Sequence, residues 1–437
     1  MEAPLELRRR ISLSAAAALV VGGTIGVGIF LTPAGMATAL GSPGWLLAVW
    51  TFMGGSALCG ALCFGELAAR YPQAGGGYVY LREAYGPLPA FLYGWKCLLV
   101  MDPGLTAALA TGFGAYAQAV SPGLSPKLAA FVAIVSVAAA NVAGLRLAAG
   151  IAHALALLKV GLLVGLVTWG LASAAGHWSH FLPFVERRAG AAPLLGALAS
   201  GVVSAFFSFG GWWEASKLAG EIRDAQRTVP RALALGVIAV TLLYLAVSAV
   251  FVYLVPIEAA SSSEAFAAQA GRALFGPAGG RVLSAFVALF VLGSLFAFMT
   301  MAPRVYYAMA RDGAVPAFVG RVDPRSGAPV RAVVIQAVLA TLLVGLGTFD
   351  AIVAYFVFVT VAFLALTVLG LFRLRRRSPS AAYATPLYPL TPVLFLASVA
   401  LVLVLLALGR PREAALGLAV VALGVPVYLF LSRRAAT

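Results

Sequence analysis

Charge is scarce in this chain. Only 10% of its 437 residues are charged, whereas 62% are hydrophobic. A soluble protein of this length could not bury so much apolar surface, which excludes that class. The apolar residues recur in runs long enough to cross a bilayer as helices. We therefore predict an all-α polytopic membrane protein with twelve transmembrane helices. The predicted spans are residues 13–40, 44–66, 88–119, 127–143, 151–174, 194–222, 231–255, 280–310, 330–348, 351–372, 386–408 and 414–432.

Acidic residues are scarcer than basic ones, with 15 Asp and Glu against 30 Lys and Arg. Twenty of the basic residues fall on the N-terminal side of the predicted membrane, seven on the other side and three within spans. Because basic loops stay in the cytoplasm, the pattern predicts a cytoplasmic-membrane protein with both termini cytoplasmic. Contact with anionic membrane lipid accounts for the basic clusters, so we expect no nucleic-acid partner.

Cysteine and histidine are nearly absent, with three of each. All three cysteines fall within predicted spans, so no structural disulfide is expected. The histidines are peripheral and lack partners at metal-ligand or catalytic spacing, so we predict no metal, no cofactor and no enzyme active site. The chain also lacks a Walker-type phosphate-binding loop, which argues against a pump driven by ATP.

Glycine, by contrast, is abundant where a regular helix is expected. Residues 22–33 read GGTIGVGIFLTP, and each helical glycine costs about 1 kcal/mol relative to alanine. Gly22 and Gly26 fit a small-residue packing motif, but Gly26 and Gly28 point in different directions. Span 6 is interrupted at comparable depth by Ser208-Phe209-Gly210-Gly211. Paired interruptions in two halves of opposite topology indicate unwound helices at a transporter's binding site.

Several ionisable residues fall inside predicted spans, where they are costly and suggest a function. Lys159 lies in the middle of span 5, too deep for easy snorkelling to the cytoplasmic surface. Asp102 in span 3 could be a counter-ion for Lys159 or Lys96, or could contact a substrate ammonium. Glu214 and Lys217 in span 6 are three residues apart on one helix face, which predicts a mutual ion pair.

Five segments resemble the amino acid–polyamine–organocation superfamily, in particular the L-type amino acid transporters and the bacterial serine/threonine or alanine exchangers. They occur in the family's order along essentially the whole chain. These segments are GGTIGVGIFLTP at 22–33, ELAARYPQAGGGYVYLREAYG at 66–86, FFSFGGWW at 206–213, EIRDAQRTVPR at 221–231 and RVYYAMARDG at 304–313.

The resemblance implies the leucine-transporter-type fold. Two inverted repeats of five spans each are expected, with spans 1 and 6 unwound, followed by two appended helices. The corresponding regions are residues 13–174 for the first repeat, 194–372 for the second, 386–432 for spans 11 and 12, and 1–12 and 433–437 for the cytoplasmic tails.

The resemblance also implies where an amino acid binds. The two ends of a broken helix suit a zwitterion, since free N–H groups bind a carboxylate and free carbonyls bind an ammonium. The expected carboxylate partners are the backbone N–H groups of Gly26, Val27 and Gly28. The expected ammonium partners are the carbonyls of Thr24, Phe207, Ser208 and Gly210. Many relatives have serine at position 27, so Val27 leaves only the backbone to hold the carboxylate here.

Three further roles follow from the resemblance. Phe209 corresponds to an aromatic residue that gates the outer side in relatives. Trp212 follows the glycines as in the family, although simple packing is the alternative. Lys159 corresponds to a lysine whose ammonium occupies, in sodium-independent relatives, the site that sodium fills in others. No cysteine lies in the loop at 121–126, where animal relatives bond a glycoprotein, so no disulfide-linked heavy subunit is expected.

These observations predict a sodium-independent secondary transporter of small to medium neutral L-amino acids that works by exchange or by proton coupling. A cationic amino acid or polyamine permease of the same fold is the first alternative, because Asp102 and Glu214 place acid within the membrane. A membrane amino acid sensor that does not transport is the alternative from another class.

Overall fold

A computed structural model describes residues 7–257, 266–346 and 349–436. Residues 1–6 and residue 437, which belong to the two predicted tails, lie outside the described residues. Within the described residues the chain is helical, and the one β-type contact is an isolated bridge between Ile11 and Ile222. Ten of the described helices are long and apolar enough to cross a membrane. This confirms the all-α polytopic membrane architecture.

The first half of the chain contains the predicted spans 1 to 5. Span 1 consists of two helices, span 3 contains a π-helical turn, and α4 is a short helix on the loop that follows span 2. The helices are α1 (Leu13–Thr24), α2 (Gly28–Leu40), α3 (Pro43–Arg70), α4 (Gly77–Tyr85), α5 (Pro87–Lys96), the π turn (Cys97–Met101), α6 (Asp102–Val120), α7 (Pro126–Ala143) and α8 (Leu145–Ala172).

The second half contains the remaining spans. Span 6 consists of an α-helix followed by a 3₁₀-helix, and span 8 continues into a short helix after a proline. The helices are α9 (Leu194–Ser208), the 3₁₀-helix (Trp212–Glu221), α10 (Ala225–Leu254), α11 (Phe266–Phe275), α12 (Gly279–Met301), α13 (Pro303–Arg311), α14 (Val330–Leu346), α15 (Phe349–Arg377), α16 (Leu390–Gly409) and α17 (Pro411–Ala436).

The count of twelve spans stays a prediction. The bent pair α1 and α2 makes an eleventh candidate span in the described chain, whereas α14 has 17 residues and is shorter than the others. The inverted repeat also stays a prediction, although both expected interruptions are present, one in span 1 and one in span 6.

Span 1 lies at the centre of the molecule. The helix α1 packs against α8, α10, α12 and the 3₁₀-helix of span 6. Small residues allow this close packing, because an ideal Cβ on Gly22 would lie 3.5 Å from Ala156 Cβ and 3.7 Å from Ala297 Cβ. The packing interpretation of Gly22 is thus consistent with the structure, and the fold brings the interruption of span 1 against that of span 6.

Candidate functional site

The interruption of span 1 is a true break. The helix α1 ends at Thr24, α2 begins at Gly28, and the two axes differ by 46°. A helix start leaves backbone N–H groups without intrahelical partners. Within the described chain no acceptor takes the N–H groups of Gly26, Val27 and Gly28. The break therefore presents three unpaired donors.

The interruption of span 6 lies directly against that of span 1. The helix α9 ends at Ser208, and Gly211 has a φ of +112°, a conformation that residues other than glycine rarely adopt. A Cβ on Gly28 would lie 2.9 Å from Ser208 Cα, and one on Gly211 would lie 2.6 Å from the Gly23 carbonyl oxygen. Glycine is thus required at both breaks because the two backbones touch.

A tyrosine that the sequence analysis did not single out joins the two breaks. The Tyr244 hydroxyl, from α10, lies 3.2 Å from the Thr24 carbonyl oxygen and 2.9 Å from the Ser208 carbonyl oxygen. Two of the carbonyls expected to face an ammonium therefore already have a hydroxyl partner. Each carbonyl oxygen has two lone pairs and can accept a second donor. The Phe207 carbonyl accepts the Gly210 N–H at 3.0 Å.

A cavity of about 330 Å³, which we call the central cavity, lies at the two breaks. Seven of the eight predicted substrate-binding residues line it, namely Thr24, Gly26, Val27, Gly28, Phe207, Ser208 and Gly210. The wall also contains residues that the sequence analysis did not assign to the site. Among them are Leu31, Thr32, Leu105, Trp213, Phe298, Met301 and Thr360.

Part of the central cavity lies along the halves of spans 1 and 6 that are away from the N-terminal side of the membrane. Leu31 and Phe207 line this part and are 46% and 44% exposed. Thr32 and Ser208 form a hydroxyl pair there, with their Oγ atoms 2.9 Å apart. This pair joins α2 to α9 beside the Gly28 contact, a link that no sequence motif indicated.

Lys159 is fully buried beside the break in span 1. Its Nζ donates to the carbonyl oxygens of Gly22 at 2.9 Å and Ile25 at 2.7 Å, and to Ser294 Oγ at 2.9 Å. A Cβ on Gly293 would lie 2.6 Å from Lys159 Cε, so that glycine makes room for the lysine. The lysine thus holds the end of α1 without lining the central cavity.

Phe209 and Trp212 point away from the central cavity. Phe209 is buried between the rings of Trp50, at 6.0 Å, and Tyr244, at 5.3 Å. Trp212 packs edge-on against Phe64 at 5.3 Å. Phe209 therefore does not contribute to the cavity wall in this structure, because α9 ends with that side chain turned toward α3 and α10. The contacts of Trp212 match the packing alternative.

A cluster of buried charges joins spans 3 and 6. Lys217 Nζ lies 2.5 Å from Glu214 Oε2 and 3.6 Å from Asp102 Oδ1. The predicted pair of Glu214 and Lys217 is confirmed. Asp102 pairs with Lys217, so the two counter-ion alternatives, Lys159 and Lys96, were wrong. Contact of Asp102 with a substrate ammonium stays a prediction. Lys96 Nζ donates instead to Thr360 Oγ1 at 3.1 Å. Amphipathic spacing could not reveal contacts between two spans.

The π-helical turn in span 3 places Asp102 in this cluster. It covers Cys97–Met101 and ends where Asp102-Pro103 begins α6. Such turns insert one extra residue, which rotates the rest of the helix, and they are frequent at functional sites. The proline after Asp102 was the only signal of this irregularity in the sequence.

The N-terminal side of the site is closed by a buried ion pair. Arg304 Nε lies 2.6 Å from Glu221 Oε1, and both side chains are almost fully buried. The backbone N–H groups of Arg10 and Ile11 donate to the Glu221 carbonyl oxygen at 2.7 and 3.0 Å. The segment before α1, the end of the 3₁₀-helix and α13 are therefore held together.

A second cavity, the N-side cavity, has a volume of about 430 Å³. Its lining includes Arg9, Arg82, Gly220, Tyr307, Arg311 and Asp312. Arg82 Nη1 lies 2.6 Å from Asp312 Oδ2. Partial burial lowers the pKa of Arg82, but its hydrogen bonds to Asp312 and Glu83 outweigh that effect and raise the pKa overall. This arginine therefore stays charged.

The two cavities are separated by a charged layer. Along span 8, Phe298 and Met301 line the central cavity, and Tyr307 lines the N-side cavity. Arg304 lies on the turn between them. Along the 3₁₀-helix, Glu214 lines the central cavity and Gly220 the N-side cavity, with Lys217 between them. On each of the two elements, a charged side chain thus occupies the helical turn between the two cavities.

No group of three His, Cys, Asp or Glu residues that could hold a metal ion occurs within the residues that the structure describes. Cys59, Cys63 and Cys97 are free thiols. The site in spans 1 and 6 thus consists of backbone groups, hydroxyls, apolar side chains and Glu214, with Lys159, Lys217 and Asp102 behind its wall.

A family model described as amino acid permease matches residues 11–428. Among curated proteins, the chain is 27% identical to the mouse Asc-type amino acid transporter 1 over 97% of this chain and 81% of that protein. It is 27% identical to the human cystine/glutamate transporter over 97% of this chain and 85% of that protein. It is 29% identical to the rabbit b(0,+)-type amino acid transporter 1 over 84% of this chain and 76% of that protein.

Proposed function

The chain belongs to the amino acid permease family, and we propose from this that it is a sodium-independent secondary transporter of small to medium neutral L-amino acids. The relatives named above are amino acid transporters by name, and none is named as an enzyme. The proposed modes are exchange and proton coupling, neither of which needs ATP or sodium.

The observation that carries the proposal is the pair of helix breaks that meet at one cavity. The unpaired N–H groups of Gly26, Val27 and Gly28 lie at the start of a helix, where a carboxylate is favoured by both hydrogen bonds and the helix dipole. The Gly210 carbonyl lies across the cavity in the other break. A zwitterion buried here would find partners for both charges, which removes most of the cost of taking it out of water.

The wall of the central cavity supports a neutral side chain on the substrate. Leu31, Leu105, Phe298 and Met301 present apolar surface, which cannot compensate an unpaired charge. The acid that reaches the wall, Glu214, already has a lysine as partner. A volume of about 330 Å³ leaves room for a small or medium amino acid.

Sodium independence is supported by the contacts of Lys159. Its ammonium contacts three oxygens, two of them carbonyls, at 2.7–2.9 Å. Sodium prefers such oxygen ligands, and a lysine ammonium supplies the same charge permanently attached to the chain. We propose that Lys159 holds the end of α1 in place and thereby makes a sodium ion unnecessary.

The proposed transport cycle is alternating access. The excess of basic residues on the N-terminal side supports cytoplasmic termini, so the central cavity would open outward in this structure. The layer that contains Arg304 and Glu221 would close the cytoplasmic side. Opening that layer while the far side closes would release the amino acid inward.

The test is uptake into liposomes that contain the purified protein, in buffer with choline in place of sodium. Labelled alanine, serine, leucine and arginine are supplied outside, with and without unlabelled amino acid inside. The proposal expects sodium-free uptake of alanine, serine or leucine that exceeds uptake by protein-free liposomes. Absence of flux for all four substrates would refute transport. Binding without flux would support the sensor alternative.

A second candidate function is transport of cationic amino acids. The observation that favours it is Glu214 of span 6, which lines the central cavity although its carboxylate oxygens are buried. A substrate ammonium or guanidinium could compete with Lys217 for this acid. Uptake of arginine in preference to alanine in the same liposomes would favour this candidate over the neutral one.

A further inference from the structure

Asp102, Lys217 and Glu214 form a buried triad with unusual electrostatics. Each side chain is at most 1% exposed, and Lys217 lies between the two carboxylates. Two donors face the four carboxylate oxygens, namely the ammonium of Lys217 and the Tyr306 hydroxyl beside Asp102. Buried carboxylate oxygens normally accept several hydrogen bonds each, so these two acids have few donors for ionised carboxylates.

The charges of the triad do not balance. Two carboxylates and one ammonium leave a net charge of −1 when all three groups are ionised, and a buried net charge is costly. Lys96 is the other nearby cation, but it contacts Thr360, Met101 and the ring of Tyr93 rather than a carboxylate. One added proton makes the triad itself neutral.

The other titratable groups around the triad are not carboxylates, so none of them is expected to take up that proton. The titratable groups that face it are Tyr93, Lys96 and Cys97 from span 3 and Tyr306 from α13. The Tyr306 hydroxyl points toward the Cys97 carbonyl oxygen at 3.5 Å. Within the described chain the acids that can take up a proton here are therefore Asp102 and Glu214.

The position of the triad gives it access toward both sides. Glu214 lines the central cavity. Lys217 lies one turn further along the 3₁₀-helix, and Gly220, one turn further again, lines the N-side cavity. Asp102 lies behind the wall, at the end of the π turn. The triad thus lies in the layer that must open and close during transport.

We infer that the Asp102–Lys217–Glu214 triad binds the proton that drives net amino acid uptake, an inference that rests on the transport function proposed above. In the outward-open state a proton from water in the central cavity binds a carboxylate oxygen of Glu214. The charge of the triad changes from −1 to zero, and Lys217 keeps Asp102 as its one anionic partner. The proton leaves from the same triad to water on the cytoplasmic side once the layer opens.

Protonation also changes a contact between two moving elements. With Glu214 ionised, Lys217 is held by its own 3₁₀-helix at 2.5 Å, and Asp102 is 3.6 Å away. With Glu214 neutral, the ammonium is attracted to Asp102 on span 3 alone. The proton therefore strengthens the link between spans 3 and 6 at the closing layer, which provides a physical connection between proton binding and conformation.

The experiment compares proton-driven uptake with exchange in the same liposomes. Labelled alanine is supplied outside at acidic pH with a more alkaline interior, potassium and valinomycin clamp the voltage, and no amino acid is present inside. For one proton per alanine, accumulation increases roughly tenfold for each pH unit of gradient. Wild type is expected to show this accumulation. Asp102→Asn, which lies behind the cavity wall, is expected to lose it while it retains alanine–alanine exchange, which needs no net proton movement. Glu214→Gln is also expected to lose it.

Glu413→Gln is the matched control, since it makes the same chemical change at the start of α17, far from both cavities, and should keep full accumulation. Exchange shows that Asp102→Asn is folded, and an unchanged melting temperature in detergent shows it for Glu214→Gln. Wild type that exchanges alanine but ignores the pH gradient overturns the inference, as does gradient-driven accumulation in both triad variants. Wild type without exchange or net uptake would instead refute the transport function itself.

Discussion

At the scale of single residues, the candidate site is built mainly from backbone. Val27 offers no hydroxyl, so a carboxylate bound at the break has only N–H groups as hydrogen-bond partners there. Gly28 serves a second purpose, because its missing side chain lets span 1 touch Ser208. Lys159 then holds the end of α1 from behind. Each of these residues acts through the position of main-chain atoms.

Gly28→Ala is expected to abolish transport with little effect on the other helices. The new Cβ would lie 2.9 Å from Ser208 Cα and 2.7 Å from Ser208 Oγ, so one of the two breaks must move. Alanine uptake into liposomes should decrease by about tenfold or more, since displacement of a binding contact by roughly 1 Å commonly costs a factor of this size or larger.

Gly35→Ala is the control for that substitution. Gly35 lies in the same helix, and its Cβ would meet no heavy atom within 4 Å. Alanine favours a helix interior by about 1 kcal/mol, so this variant should transport normally and be at least as stable. Equal activity of the two variants would show that close contact between the breaks is not needed.

Lys159→Ala is expected to reduce alanine uptake by about tenfold or more, because a hydrogen bond from a charged group contributes about 1.5–3 kcal/mol and 1.4 kcal/mol is a factor of ten. Three oxygens lose their donor in this variant. Ser294→Ala removes one of those contacts and should have a smaller effect. Full uptake by Lys159→Ala, with unchanged pH dependence, would mean that the lysine is only structural.

At the scale of elements, the second half of span 6, which follows the break, has an unusual structure. It is a 3₁₀-helix of ten residues, longer than such helices usually are, because their hydrogen-bond geometry is poor. Tertiary contacts stabilise it: the Glu221 carbonyl binds the segment before α1, and the Glu221 side chain binds Arg304. An element held by its neighbours in this way can be released when those neighbours move.

Arg304→Met is expected to destabilise the protein by about 3–5 kcal/mol, because it leaves Glu221 as an uncompensated buried charge. The double variant Arg304→Met with Glu221→Leu should recover most of that stability, since both charges are removed. Apparent melting temperatures in detergent provide the measurement. Asp312→Asn breaks the more exposed pair with Arg82 and should cost at most about 1 kcal/mol. A double variant as unstable as Arg304→Met would argue against this account.

At the scale of the whole molecule, orientation follows from the uneven distribution of basic residues. The helix α15 ends in several arginines beside its connection to α16, whereas the connection after α8 contains few charges near its start. Translocation disfavours the basic connection, so it should stay in the cytoplasm. The direction in which the central cavity opens depends on this orientation.

Ser378→Cys and Ala174→Cys test the orientation in a background where the three native cysteines are alanine. Both positions are exposed, on opposite sides of the predicted membrane. A membrane-impermeant maleimide added to intact cells should label the cysteine at 174 and leave that at 378 unlabelled. Inside-out vesicles should reverse the pattern. Labelling of 378 in intact cells would invert the topology and the assignment of the two cavities.

Much of the architecture could be predicted from the sequence because hydrophobic length is a local property. Each predicted span overlaps a described helix or a broken pair of helices, although the count of twelve stays a prediction. The breaks at Gly26–Gly28 and at Gly210 were indicated by helix-breaking composition. The family resemblance is confirmed by the match to the amino acid permease model. The pair of Glu214 and Lys217 could be predicted because three residues along a helix return to the same face.

The contacts between spans could not be predicted in the same way. Nothing local indicated that Tyr244 joins the two breaks, that Phe209 turns away from the cavity, or that Asp102 pairs with Lys217 rather than Lys159. The first two depend on how α9 and α10 pack, and the third on the π turn that rotates span 3. Such contacts arise from the relative rotation of helices, which hydrophobic periodicity leaves open.

The sequence by itself thus determined that this chain enters the membrane as helices, which family it resembles, and where two of its helices break. In lipid, each backbone polar group must find its partner within the chain, so apolar length and glycine placement leave few alternatives. Only the tertiary structure decided which groups face the break. It placed Lys159 behind the wall, and Glu214 at its edge beside Lys217 and Asp102. These positions depend on how closely the spans pack. The segment GGTIGVGIFLTP forms part of a site because other spans bring their residues next to its break.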